Sequence, residues 1–437
     1  MLPELDKGWN RFIEVGVEIA PFGAEFREYR RLLEKSQYWS RSKIYHYQLA
    51  HLKKIVKYCY DNVPYYRKLF QKYSIAKDLK SLKDFRKIPI LKKETILKKP
   101  DEFVSLEFSK FFPNKFSSSG TTGKKLWFYL DQKNWDIEKA AIWRHFNIAG
   151  YHHGEPGVMF YPFDPSVTEN VIYNPYLKWH MLNIKNLSDS LLLKHVKQIK
   201  EIEPRCIWGY PSVLYRFARF LQVNGIKLEI PIILTTSEPV YNHQKEFIEK
   251  HITGRLFDWY GMSEHTVSAS HCEEHEYHIN EEYVYMELVK DGGLQKIVGT
   301  SLYNYSMPFL RFDSEDFGKI KRLNCRCKRK SRILEEVIGR RRDIIKTKTG
   351  EYILRHSMFI FGHESIKEFQ LHQLDVGSIV LHIVPNGKIN PGDLKKIRDE
   401  LLTYLDFSVD LKIQIHKRLN KKGQKQLVFK SDLAEHQ

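Results

Sequence analysis

Cysteine is scarce in this sequence: five in 437 residues, an odd number. A small odd set, behind a first segment (MLPELDKGWNRF) that lacks a signal peptide's apolar centre, argues against a disulfide framework and makes the cytoplasm the expected location. Long apolar runs are missing too. The longest are short pieces such as IPIILTT, far from the ~18 residues of a membrane span, so none is expected. Negative charge is in deficit, with 53 Asp and Glu against 71 Lys and Arg, a formal net charge of +18. That balance invites nucleic acid. The basic residues are spread along the chain, however, denser at 322–332, 340–348 and 417–425, and no helix-turn-helix, zinc-finger or RNA-sheet signature accompanies them. Nucleic acid is therefore not an expected partner. A solvated surface with sites for anionic small molecules is, and attraction to a membrane face or an acidic polymer stays open.

What is present fits a globular chain of enzyme size: 42% hydrophobic and 14% aromatic residues, enough for roughly two or three domains. Residues up to about 110 read as helices with basic faces, as in YQLAHLKKIVKYCYDNVPYYRKLF, where helical spacing runs until Pro64 interrupts. From about 117, strands alternate with helices. PRCIWGYPS leads into VLYRFARFLQVNG with Gly225 as a stop, then IPIILTTSEP, NHQKEFIEKHIT and RLFDWYG follow. Such alternation implies an α/β fold with a parallel or mixed sheet and covering helices. The style changes near Gly339, after which the strand SIVLHIV, a helix carrying Leu394, Ile397, Leu401 and Leu405 on one face, and an alternating strand (Val409, Leu411, Ile413, Ile415) read as a small βαβ-like domain. The expected domains are 1–339, large, and 340–437, small. Cys59 and Cys206 fall in apolar contexts and are expected in the core.

One stretch asks for chemistry. FSSSGTTGKK, residues 116–125, offers Ser117, Ser118, Ser119, Gly120, Thr121, Thr122 and Gly123 in succession. Glycines admit close backbone approach, exposed N–H groups make an anion nest, and hydroxyls and lysines add donors. A solvated Ser/Gly linker is the alternative on composition alone. The flanks oppose it, because LWFYLD reads as a buried strand and pins the loop. It is not the Walker loop either: Gly120 and Gly123 have two residues between them rather than four, and Lys124 is followed by Lys125.

Four further pieces follow in order: TTSEP (235–239), DWYGMSE (258–264), RFDSEDFG (311–318) and IGRRRDIIK (338–346). Together with SSSGTTGKK they resemble the adenylate-forming superfamily, most closely its phenylacetate–CoA ligase-like branch with the capsule-biosynthesis CapK-type members. YCYDNVPYYRKLF, DFRKIPILKKE and MPFLRFDSEDFG extend the resemblance over nearly the whole chain. It implies a large N-terminal adenylate-forming domain with mixed sheets and a small mobile α+β C-terminal domain. It also implies that Ser117 to Gly123 cradle the β and γ phosphates of ATP, and that Ser237, Glu238 and Pro239 contact adenine. Tyr260 would stack on the base, Gly261 and Ser263 would complete that turn, and Asp258 would orient the adenine side. Glu264 would be a hard oxygen ligand for Mg²⁺. Asp316, in competition with Asp313, would hold the ribose hydroxyls, and Arg340 would bind the ribose or α-phosphate side. Two departures stand out. Arg342 occupies the position two after Arg340 where many relatives carry a hinge acid, which puts the coenzyme A half-reaction in doubt. The Gly-Lys pair of the small domain is split by Gln424, so the catalytic lysine is Lys425 if the loop bulges after Gly423, and its place falls to Gln424 under strict spacing.

HCEEHEYHIN and NCRCKRK supply Cys272, His278, Cys325 and Cys327, with His275 in reserve. Four such ligands suit a closed tetrahedral Zn²⁺ site; solvated thiols and imidazoles are the alternative. Similar cysteines recur in some members of the branch, but the usual Cys-x-Cys-Gly has Lys328 in place of glycine.

The resemblance leads to an ATP-dependent acid–CoA ligase that activates a small carboxylic acid as its acyl-AMP and passes the acyl group to coenzyme A. Two alternatives stay open: a capsular polysaccharide adenylase with a sugar amine or hydroxyl as acceptor, and a non-enzymatic basic binding protein. The aromatic stretch 142–163 is a candidate lining for the acyl pocket, and equally ordinary core.

Overall fold

The computed structural model describes residues 24–118, 126–163, 167, 169–175, 177–184, 188–238, 240, 242–291, 294–321, 325–340, 345–346, 348, 352–353, 365–404, 409–419 and 429–435. Two compact units emerge: Met1–Ser314 with Gly318–Val337, and Glu315–Phe317 with Ile338–Gln437.

The helical start of the first unit follows its sequence closely. Helix Arg41–Asn62 begins where the Ser40 hydroxyl accepts the Lys43 N–H, and it buries Ile44, Leu52, Ile55, Val56 and Cys59 on one face. It stops before Pro64 because Val63, extended at φ −117°, ψ 112°, obeys the restriction on a residue preceding proline. Pro64 then opens helix Pro64–Lys72, where its missing N–H costs nothing.

Two short strands, β1 (Asn114–Ser117) and β2 (Trp127–Leu130), pair as an antiparallel hairpin. The chain then builds β3 (Gly157–Tyr161), β4 (Val171–Asn174), β5 (Trp179–Asn183), β6 (Cys206–Gly209), β7 (Ile232–Thr236), β8 (Arg255–Gly261), β9 (Ser268–His271), β10 (Tyr277–Ile279), β11 (Val284–Asp291), β12 (Leu294–Ser301), β13 (Phe312–Lys321) and β14 (Ile333–Arg340). These twelve form one mixed sheet in the order β11-β12-β13-β14-β10-β9-β8-β7-β6-β3-β5-β4. The run β5-β3-β6-β7-β8 is parallel. Its crossovers include helices Pro211–Val223 and Asn242–Ile252, as the strand–helix alternation requires. Every residue of β3 and β6 is buried, as expected of parallel strands covered on both faces. Cys206 and Cys59 are fully buried, as expected.

LWFYLD departs from expectation. Phe128 and Leu130 are buried but Trp127 is 53% exposed. The strand belongs to a two-stranded hairpin outside the large sheet, so one face meets solvent.

The second unit has its own core. Its sheet takes the order β19 (Asp410–Ile415), β18 (Ser378–Pro385), β17 (Ile366–Asp375), β20 (Phe429–Ser431), and a short pair, β15 (Ile345–Lys346) with β16 (Tyr352–Ile353), stands beside it in the chain. Helix Pro391–Tyr404 links the parallel strands β18 and β19, the expected βαβ unit. Ile397 and Leu401 are buried with Leu411 and Val409, but Ile415 is 52% exposed. β19 is an edge strand, and its burial falls away toward its end. Leu405 lies outside the described residues. Among the described residues no helix is long and apolar enough to cross a membrane.

Candidate functional site

The glycine-rich loop closes the β1–β2 hairpin. Ser117 pairs with Trp127, and one residue later Ser118 draws the neck together: its N–H donates to Leu126 O at 2.9 Å, and its hydroxyl accepts the Leu126 N–H at 3.1 Å. Residues Ser119, Gly120, Thr121, Thr122 and Gly123 lie outside the described residues. The neck is anchored by Phe116, whose ring lies 4.9 Å from that of Trp135, and Trp135 in turn packs edge-on at 5.1 Å against His265. His265 is the neighbour of Glu264. A chain of three rings thus joins the base of the first motif to the residue that follows Glu264 in the third.

The second and third motifs meet through the sheet. β7 and β8 pair in parallel with Thr235 opposite Asp258 and Thr236 opposite Trp259, so TTSEP and DWYGMSE leave the same, carboxyl-terminal, edge. Asp258 is buried, and its two carboxylate oxygens accept from the Thr235 and Tyr277 hydroxyls, each at 2.5 Å. Burial outweighs those donors and lifts its pKa to about 6. Its side chain therefore holds the strand ends together. Tyr260 is half-buried and Ser263 exposed; a Cβ on Gly261 would come within 2.8 Å of Trp259 Nε1, so glycine is needed there. Glu264 is buried at 5% exposure.

Ser237 ends β7 in the left-handed region at φ +69°, and His265 takes the same region at φ +53°. Non-glycine residues accept such strain where surrounding structure over-determines them. Glu238 accepts the Ser212 N–H at 3.0 Å, placing a negative charge on the first turn of helix Pro211–Val223. Pro239 lies outside the described residues.

Sequence reasoning missed the support under Glu264. His265 Nδ1 lies 2.6 Å from Asn134 Oδ1, its Nε2 3.9 Å from Glu138, and Asn134 donates to the Ser301 hydroxyl at 2.6 Å. Burial raises Glu138 to about 7 and lowers His265 to about 3. The available signal was weak: Asn134 and Glu138 stand one turn apart in helix Gln132–Ala149, which buries every residue from 134 to 146 although many of them are polar. Trp143, Phe146, Tyr161 and Phe163, from the stretch considered as acyl-pocket lining, pack in the main core.

A groove of about 570 Å³ lies elsewhere, lined by Pro156, Pro204, Arg205 and Pro231 among others. Those residues precede β3, β6 and β7, so the groove opens at the amino ends of the parallel strands. Open α/β sheets bind ligands beyond their carboxyl ends, where Ser237, Tyr260 and Ser263 stand.

No family model matches the chain. Among curated proteins, Protein CapK of Staphylococcus aureus is 21% identical over 389 residues, covering 86% of this chain and 85% of that protein. The phenylacetate-coenzyme A ligase of Pseudomonas putida is 23% identical over 420 residues, covering 89% and 93%. Among solved structures, 2-hydroxyisobutyryl-CoA ligase in its postadenylation state with 2-HIB-AMP superimposes with a TM-score of 0.72 at 17% identity, over 92% of this chain and 94% of that one. The chain shares the fold of that acyl-CoA ligase and is similar over most of its length to CapK and the phenylacetate-coenzyme A ligases. Its curated relatives lie in the phenylacetate–CoA ligase-like and CapK-type branch.

The last two motifs lie partly outside the described residues. Asp316 is half-buried on β13, directly after Glu315 at φ +64°. Asp313, its competitor, is buried and ion-paired to Lys296 at 3.0 Å. Arg340 ends β14, but its side chain lies outside the described residues, as does Lys425 with the whole segment 420–428. Magnesium suits the donor set: Mg²⁺ takes one or two carboxylates and completes its shell from phosphates and water, and the buried Glu264 offers such a carboxylate.

The expected zinc ligands converge. Sγ of Cys272, Cys325 and Cys327 and a ring nitrogen of His278 all lie within 4.8 Å of one another. Cys272 Sγ is 3.6 Å from Cys325 Sγ, and Cys327 Sγ is 3.2 Å from His278 Nε2. His275 is not part of this cluster: its Nε2 lies 3.1 Å from Arg255 Nη2, and its ring rests against Phe257.

Proposed function

We propose that this chain is an ATP-dependent ligase that activates a small carboxylic acid as its acyl-AMP and passes the acyl group to coenzyme A. A carboxylate oxygen of the acid attacks the α-phosphorus of ATP, the bond to the β-phosphate breaks, and pyrophosphate leaves. The coenzyme A thiolate then attacks the acyl carbonyl and AMP departs. The observation that carries this reading is the ring chain Phe116–Trp135–His265, which ties the base of the phosphate-loop hairpin to the residue beside Glu264.

In this reading the hydroxyls and N–H groups of residues 117–123 hold the β and γ phosphates, which neutralises charge on the leaving group. Tyr260 presents a ring to adenine, and Ser237, Glu238 and Pro239 border it. Asp258 acts from within, fixing the end of β8 through Thr235 and Tyr277. Glu264 would hold magnesium, which when bound offsets the phosphate charge. Asp316 would accept hydrogen bonds from the ribose hydroxyls, Arg340 would face the α-phosphate side, and Lys425 would bridge the attacking carboxylate and that phosphate.

Glu264→Gln tests the site because it preserves volume while removing the charge. The expected outcome is a folded protein whose adenylation rate falls at least tenfold at ordinary Mg²⁺ and recovers in part as Mg²⁺ is raised. A wild-type rate and Mg²⁺ dependence in that variant would reject the assignment.

A further inference from the structure

We propose that Cys272, His278, Cys325 and Cys327 bind one zinc ion in a closed tetrahedral site that fastens the β13–β14 connection to the β9–β10 turn. Zinc–sulfur bonds of about 2.3 Å and zinc–nitrogen bonds of about 2.0 Å place tetrahedral ligand atoms roughly 3.5 to 3.8 Å apart. The separations of 3.6 Å and 3.2 Å, with all four atoms inside 4.8 Å, require shifts of a few tenths of an ångström to well under 1.5 Å. Three thiolates and an imidazole select a soft or borderline ion over magnesium or calcium. Four protein ligands leave no open position, so the site is structural rather than catalytic.

The surroundings are built for it. His278 Nδ1 meets the Ser331 hydroxyl at 3.1 Å, which aims Nε2 at the cluster. The Glu274 N–H donates to Cys272 Sγ at 3.4 Å. Three thiolates on Zn²⁺ leave one net negative charge, and the buried guanidinium of Arg329 faces Cys327 while pairing with Glu273. The two turns that bring the ligands together hold non-glycine residues in the left-handed region, His275 at φ +56° and Lys328 at φ +68°. Lys328 therefore keeps the backbone that the usual glycine of a Cys-x-Cys-Gly turn would adopt, a strain that a metal tether offsets.

The site also reaches Asp258. His271, which precedes Cys272, accepts the Asp258 N–H at 3.1 Å, and Tyr277, which precedes His278, donates to the Asp258 carboxylate. The zinc thus holds in place two of the residues that support the end of β8, His271 and Tyr277. This last link rests on the ligase reading, whereas zinc binding itself does not.

The test uses the purified full-length chain. Elemental analysis is expected to give about one zinc per chain, and Cys327→Ser to lower that at least fivefold. Replacing zinc by Co²⁺ should give the visible absorption of a tetrahedral thiolate site. Should Cys327→Ser fail to fold, the wild-type cobalt spectrum still decides. Metal content well under one per chain after growth in zinc, with no cobalt spectrum on reconstitution, overturns the proposal. So does a denatured, unreduced chain with fewer than its five thiols free, since a disulfide would then claim two ligands. Zinc bound stoichiometrically in a chain without ligase activity would keep this site and reject the function.

Discussion

Asp258 shows how one side chain ties the site to its strands. Its carboxyl is raised to about 6 by burial, against an unfolded value near 4. A raised folded pKa adds stability that is fully present below the unfolded value and is lost as pH climbs through the folded one. Asp258→Asn removes that dependence while keeping one acceptor oxygen for either Thr235 or Tyr277. Wild-type stability relative to the variant should therefore rise by roughly 2 to 3 kcal/mol from pH 7 to pH 4, measured as paired denaturant unfolding curves. A difference that does not change with pH would contradict it. At this scale the sequence motif singled out Asp258, and the structure shows it buried between two hydroxyls. Its sealing by Thr235 and Tyr277 was not legible, because it depends on the registers of β8 with β7 and of β10 beside β9, which place distant residues side by side.

At the scale of elements, strand–helix alternation was readable because parallel strands need helical crossovers, and Pro64 marked a helix boundary by its own stereochemistry. The solvent-facing side of LWFYLD was not readable, since an apolar run does not announce how many neighbours its strand will have. The same holds for the ring chain Phe116–Trp135–His265, drawn from a hairpin, a helix and a turn. One element contact makes a direct prediction. A Cβ on Gly299, in β12, would fall 2.2 Å from the backbone oxygen of Thr266, two residues beyond Glu264. Gly299→Ala must displace that turn and should destabilise the fold by about 1 to 3 kcal/mol while slowing adenylation. A variant with unchanged unfolding midpoint and rate would show that the turn tolerates the shift.

The whole molecule divides into a large unit that carries the hairpin, Ser237 and the 258–264 turn, and a small unit with its own four-stranded core. The sequence changes its pattern near Gly339. It left the register of the final lysine open, between Gln424 and Lys425, and that segment lies outside the described residues. The central claim is that this chain forms an acyl-adenylate, and pyrophosphate exchange tests it most directly. Purified protein is incubated with ATP, Mg²⁺, labelled pyrophosphate and a panel of small aliphatic and aryl acids, without coenzyme A. The account predicts label entering ATP only when an accepted acid is present, at least tenfold less with Lys425→Ala, and near wild-type rates with Lys421→Ala and Lys422→Ala. No acid-dependent exchange across a broad panel would contradict it and favour a binding role for this basic chain.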